Sequence, residues 1–239
     1  MQIADGIYLI ASGNLGVSST HPLDCNAYAV DYGDGFFLID SGVGQAPRPQ
    51  LPAGRVTHLF LTHSHLDHAG GAHWLASHVP GLAVSCSAET ARAVAAADEQ
   101  AISLTAAKQA GLYPEDFPFL PCPVARVLEP EETVTLGDAT IQAIPTPGHS
   151  RDMFSYLVRQ PHRTLLFSGD TFFHSGRIVI QDVWDCDVSA YANSLRRINA
   201  LAFDMLFPGH GLWSLADGHR HIALAMDYVN RLLLPPNLV

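Results

Sequence analysis

The sequence is short of cysteine, of basic residues and of long apolar runs, and each shortage closes off a class of protein. Four cysteines, Cys25, Cys86, Cys122 and Cys186, stand apart in 239 residues with no CxxC pair. That spacing sets aside a disulfide-stapled scaffold and points to a cytoplasmic chain with reduced thiols. Lys and Arg number 13 against 23 Asp and Glu, a formal net charge of −10. Phosphate backbones and anionic membrane surfaces are held by basic faces, so no nucleic acid and no membrane is expected as a partner. No stretch approaches the roughly 20 apolar residues of a membrane helix. The opening MQIADGIYLIASG has neither a basic segment nor a long apolar run, which argues against a secretory signal. Internal repeats, low-complexity tracts and a Gly-x-Ser-x-Gly nucleophile motif are also missing.

What is present is a hydrophobic share of 48% with 15% charged residues, enough for one large domain over 1–239 with a substantial core. IADGIYLI reads as a strand, AYAVDYGDGFFLID as a hairpin turning at Gly33-Asp34-Gly35, and VTHLFLTH as a strand buried on both faces. GGAHWLASHV and AETARAVAAA have helical spacing, with the strand LAVSCSA between them. The strand pattern then resumes in two hairpins, turning near Gly137-Asp138 and near Pro161. A helix with Asp187 as N-cap follows, then the strand FDMLFPGHG and a last helix through LADGHRHIALAMDYVNRLL. Strand clusters and helices alternating in two similar halves predict an α/β layered fold. Between the halves, an inserted, partly helical segment at about 97–125 breaks at Gly111 and becomes Pro- and Phe-rich. It reads as an excursion packed on its own apolar residues, or as a lid or partner surface that leaves room for a homodimer.

LTHSHLDHAGG, directly after the apolar strand, places His63, His65, Asp67 and His68 on one turn. Imidazoles and a carboxylate gathered this way direct their lone pairs at cations, and they suit borderline metals such as zinc. As satisfied core residues they would crowd polar groups together at a cost. Three further metal-competent residues stand beside glycines at later strand ends: His149 in TPGHS, Asp170 in FSGDT and His210 in FPGHG. Each is weak evidence alone, but the ordered set is specific. Of the other histidines, His58 and His73 lie near the motif in sequence, and His21 and His174 sit in loops able to face a pocket.

The order THSHLDH, PGHS, GDT, PGHG resembles the metallo-β-lactamase superfamily over nearly the whole chain. The resemblance implies a four-layered αβ/βα sandwich and two metal ions, with zinc the first choice and iron or manganese suited to the same donors. It implies that His63, His65 and His149 hold one ion, that Asp67, His68 and His210 hold the other, and that Asp170 bridges them. All seven positions are filled. GDTFFHSGR is similar to the continuation found in the hydroxyacylglutathione hydrolase-like branch, whereas the 81 residues from His68 to His149 (149 minus 68) are nearer to the lactonase-like members.

The implied activity is a metal-dependent hydrolase. A metal-bridging hydroxide would cleave a small ester, thioester or lactone, with Asp67 orienting the hydroxide and shuttling its proton. An iron-dependent redox enzyme of the same fold, persulfide dioxygenase-like, is the alternative, and a β-lactamase is a weaker one, since those enzymes carry Cys or Ser where Asp170 stands. Asn14 to His21, Phe172 to Gln181 and Trp184 are candidate pocket residues, with Phe172, Phe173 and Trp184 equally suited to a core.

Overall fold

Seven strands and four α-helices form between Met1 and Leu128, and five strands and two α-helices between Glu129 and Val239, counted among the described residues. These spans are the two compact units of the computed structural model, which describes residues 1–238.

In the first unit the strands are β1 (Gln2–Ala4), β2 (Ile7–Ala11), β3 (Ala27–Asp31), β4 (Phe36–Ile39), β5 (Val56–Phe60), β6 (Ala83–Cys86) and β7 (Arg126–Val127). They lie in that order in one sheet. β1 to β4 pair antiparallel and β4 to β7 parallel. The helices are α1 (Leu66–Ala69), α2 (Ala72–His78), α3 (Ala88–Ala96) and α4 (Leu104–Gln109). β5 sits between two parallel neighbours, and all of its residues but the half-buried His58 are buried. Leu38, Leu59 and Val84 of the strands pack with Leu66, Leu75 and Val94 of the helices in one buried cluster. Each such side chain contributes about 1.5–3 kcal/mol on burial.

Two expectations change here. IADGIYLI is not one strand: Gly6 takes φ 64° and turns the chain, so β1 folds back on β2. The segment at about 97–125 does not pack merely on itself. Ile102, Leu104, Phe117, Phe119 and Cys122 belong to the first unit's core cluster, and the Cys122 N–H donates to the Val94 carbonyl of α3 at 3.1 Å. Its prolines limit regular structure, but its aromatic residues fill the core.

In the second unit β8 (Thr133–Leu136), β9 (Ala139–Pro145), β10 (Phe154–Gln160), β11 (Arg163–Gly169) and β12 (Met205–Pro208) form a sheet ordered β12-β11-β10-β9-β8. Both expected hairpins are present, and only the β11–β12 pair is parallel. α5 (Val188–Asn199) and α6 (His219–Val229) bury Leu195, Ile198, Ile222 and Met226 against Leu157, Leu166 and Leu206 of the strands. Asp187 caps α5 as expected, accepting from the N–H groups of Ser189 and Ala190 at 2.8 and 2.9 Å. The result is two mixed α/β units, and no helix among the described residues is long and apolar enough to cross a membrane.

Candidate metal centre

In the first unit the residues of interest follow the end of β5. The N–H groups of His68 and Ala69 return to the His65 carbonyl at 3.0 and 2.9 Å, closing the single turn of α1. That turn gathers the imidazoles: the His63 ring centroid lies 4.6 Å from that of His65 and 4.1 Å from that of His68. His63 and His68 are buried, while His65 and Asp67 are half-buried.

Asp40, at the end of the neighbouring strand β4, fixes how these rings are protonated. Its carboxylate accepts the Thr62 N–H at 2.8 Å, the Thr62 hydroxyl at 2.8 Å, and His68 Nδ1 at 2.8 Å. A carboxylate accepts only, so the His68 proton sits on Nδ1. The Thr62 hydroxyl has one hydrogen and gives it to Asp40, so at 3.0 Å it receives the Nδ1 proton of His63. In both rings the lone pair is thereby left on Nε2, the arrangement that metal-ligating histidines use.

In the second unit His149 follows β9, Asp170 follows β11 and His210 follows β12. Gly148 reaches the turn before His149 with φ 151°, and a Cβ there would sit 2.5 Å from the Cα of Tyr191. Only glycine fits that approach. His149 Nδ1 lies 3.1 Å from the Val179 carbonyl, to which it must donate, so its lone pair is also on Nε2. All three residues are nearly fully buried.

This protonation pattern decides what the residues suit. His149 Nε2 faces Asp170 Oδ2 at 3.6 Å, and His210 Nε2 faces the same oxygen at 3.3 Å. In the first unit His68 Nε2 lies 3.7 Å from Asp67 Oδ2. For His68 and His149 a neutral ring sets an electron pair against the carboxylate, a repulsion that a bound cation relieves. The donors are imidazole nitrogen and carboxylate oxygen, so the set fits a divalent cation of borderline softness.

The remaining named residues separate clearly. His58 bonds to Thr57 and stacks on Phe60, and His73 donates to the Pro121 carbonyl, both away from the motif turn. The His21 ring packs on Phe117 and its Nδ1 accepts the Leu23 N–H. His174 lies beside His221, with ring centroids 4.2 Å apart. Phe172 and Phe173 are fully buried, Phe172 in the second unit's core cluster and Phe173 with its ring centroid 6.1 Å from that of His210, whereas Trp184 is 59% exposed. Sequence reading left Asp40 without a role. Its signal was an aspartate closing the strand FLID immediately before the motif strand, where side chains of adjacent parallel strands meet.

A model of the metallo-beta-lactamase superfamily matches residues 21–210. The atrochrysone carboxyl ACP thioesterase of Aspergillus fumigatus is 29% identical over 193 residues, covering 78% of this chain and 50% of that protein. The acyl-coenzyme A thioesterase MBLAC2 of Gallus gallus is 27% identical over 198 residues, covering 79% of this chain and 65% of that protein. The chain spans about half the length of the first of these relatives. Among solved structures, an archaeal metallo-beta-lactamase superfamily protein from Sulfolobus tokodaii superposes with a TM-score of 0.71 at 22% identity, covering 95% of this chain and 86% of that one. TTHA1623 in a di-iron-bound form gives 0.64 at 29% identity, covering 85% of this chain and 94% of that one.

Proposed function

The chain belongs to the metallo-beta-lactamase superfamily, and from that premise we propose that it is a metal-dependent hydrolase of thioesters. We assign His63, His65 and His149 to one ion, Asp67, His68 and His210 to a second, and Asp170 to both. Zinc suits this all-nitrogen-and-oxygen set, and iron is the second choice because TTHA1623 has a di-iron-bound form. Bound there, the cations supply Lewis acidity and bring the pKa of a water towards neutrality.

The chain's own residues supply the rest. Asp40, Thr62 and the Val179 carbonyl hold protons on the Nδ1 atoms of His68, His63 and His149, which keeps each Nε2 a donor of electrons. Asp67, half-buried, takes the proton of the attacking water and returns it to the departing sulfur as the carbon–sulfur bond breaks. Thioesters are preferred over lactones because both curated relatives named above are thioesterases. The observation that carries the reading is the set of histidine Nε2 atoms facing carboxylate oxygens.

The test is elemental analysis of the purified protein together with a panel of acyl-coenzyme A thioesters, lactones and β-lactams. We expect about two ions per chain and thioester cleavage that chelation abolishes and zinc restores. A single tightly held iron with oxygen uptake on a persulfide would overturn the hydrolase reading.

A further inference from the structure

The face of α6 turned away from the second unit's core carries an apolar stripe for which the chemistry above has no use. Arg220, Leu224 and Tyr228 follow one another at four-residue spacing, so they share one side of the helix, and all three are exposed. The stripe continues past the helix end. The N–H groups of Leu232 and Leu233 return to the carbonyls of Val229 and Tyr228, each at 3.0 Å, which holds both leucines against the last turn.

Leu232 is the unusual member. It closes this turn at φ 59°, the left-handed conformation for which helix ends ordinarily use glycine. A side chain is strained there, and this one is 91% exposed. Within the chain the leucine gains no burial that offsets the strain. A surface that covers it supplies the missing gain.

The opposite end of α6 has such a surface. An open hollow of about 540 Å³ is lined by Phe203, Asp204, Leu215, Ala216, Asp217 and Arg220 among others. Phe203 is buried, with its ring centroid 5.4 Å from that of His219, while Leu215 and Asp217 are exposed. Asp217 forms no ion pair among the described residues, and neither does Arg231 beside the leucines. An apolar knob with a cation and an apolar hollow with carboxylates therefore stand at the two ends of one helix.

We propose that α6 is a self-association face. Two copies of this chain pack α6 against α6, antiparallel about a two-fold axis at Leu224, and Leu232 and Leu233 of each copy enter the hollow of the other. The positions match about that axis. Leu232 and Ala216 stand eight residues either side of Leu224 (232 minus 224, 224 minus 216), and Arg231 and Asp217 stand seven (231 minus 224, 224 minus 217). Arg220 and Tyr228 stand four either side, which sets each guanidinium over the second copy's phenol ring. A two-fold interface requires this self-complementarity, because every contact is made twice. The charges select the occupant: an anionic lipid surface would repel a chain of net charge −10 and face Asp217 with a like charge, whereas a second copy brings Arg231 to it.

Sedimentation velocity on the full chain, over concentrations from about 1 μM to about 500 μM, tests this. The parent should pass from monomer to dimer across that range, and its Tm should rise with concentration. Leu232→Gly removes the knob and relieves the left-handed strain. It should raise the denaturant midpoint of the dilute protein yet weaken dimerisation at least about a hundredfold, since each dimer loses two buried leucines. Arg231→Glu and Asp217→Arg should each weaken dimerisation about tenfold, the pair being counted twice by symmetry, and the double exchange should recover most of that loss. A monomer at every concentration overturns the proposal, as does a dimer that these substitutions leave unchanged. A monomer that instead binds phosphatidylcholine vesicles, and loses that binding in Leu232→Gly, would assign the leucines to a lipid surface and overturn it too.

Discussion

The Tyr191 hydroxyl donates to the Asp170 carbonyl at 2.6 Å and accepts the Val179 N–H at 3.3 Å. Val179 in turn accepts the Nδ1 proton of His149. One phenol on α5 thus ties the Asp170 loop to the segment that orients His149. It is buried, and burial pushes its pKa well above the ordinary tyrosine value, so it remains a protonated donor at neutral pH. Tyr191→Phe leaves a buried carbonyl and a buried N–H without this partner, and should cost about 1–3 kcal/mol of stability. Because Asp170 and His149 lose a common anchor, kcat should fall as well. Denaturant midpoints and turnover measured together check this; a variant matching the parent in both would show the phenol to be dispensable.

Asp40 acts through His68 rather than on substrate. Asp40→Asn offers one amide oxygen for three donors, and it removes the negative charge that favours the Nδ1 proton and strengthens the Nε2 lone pair. Loss of such a partner typically costs 10–100-fold in metal affinity. Competition of the folded variant with a chelator of known affinity should therefore show weaker binding of about that size, beside a stability loss of about 1–3 kcal/mol from the buried donors left short of an acceptor. Unchanged affinity would remove Asp40 from the metal-supporting network.

Much of this was legible in the sequence because local physics decides it. The hairpins turn at Gly33 to Gly35 and at Gly137-Asp138, and Asp187 caps α5. The run VTHLFLTH reads as a strand buried on both faces, and β5 has parallel neighbours on both sides. The motif residues stand at strand ends, where side chains can converge. Non-local facts were not legible. Asp40 and His68 are 28 residues apart and meet because β4 pairs with β5. Nor does any local pattern reveal that Phe117 and Phe119, in a Pro-rich stretch, fill the first unit's core. Asp185 and Arg151 are likewise brought together by tertiary structure alone.

His221 gives a stability prediction with a definite sign. It is buried, its Nδ1 accepts the Ser175 N–H at 3.0 Å, and burial lowers its pKa to about 4, with the neighbouring His174 and Arg220 adding to the effect. The unfolded chain titrates near the ordinary histidine value of about 6.5. Between those values the unfolded state binds a proton that the folded state refuses, so stability falls as pH drops from about 6.5 towards about 4 and is fully present above 6.5. His221→Gln, which keeps a side-chain acceptor but does not titrate, should flatten that fall. Tm values at pH 7 and pH 5 check it: the parent should lose more between the two than the variant, and parallel losses would show that His221 is not the group responsible.

Asp170 gives the most decisive test of the assigned centre. Its Oδ2 lies 3.6 Å from His149 Nε2 and 3.3 Å from His210 Nε2, in a site where the carboxylate is nearly fully buried. If the carboxylate serves both ions, removing it takes a negative charge from each and frees their separation. Asp170→Ala should then lower occupancy of both positions and reduce kcat by at least about a hundredfold, the scale of loss when a reacting group is misplaced. Asp170→Ser should keep part of the metal, since a neutral hydroxyl oxygen is a ligand but a weaker one. His210→Ala should empty mainly one position and leave the other partly filled. Metal stoichiometry in the three variants, set beside turnover of the best thioester, separates these outcomes. Full metal content and near-parental turnover in Asp170→Ala would reduce Asp170 to a turn residue after β11, and the shared-ligand assignment would fall with it.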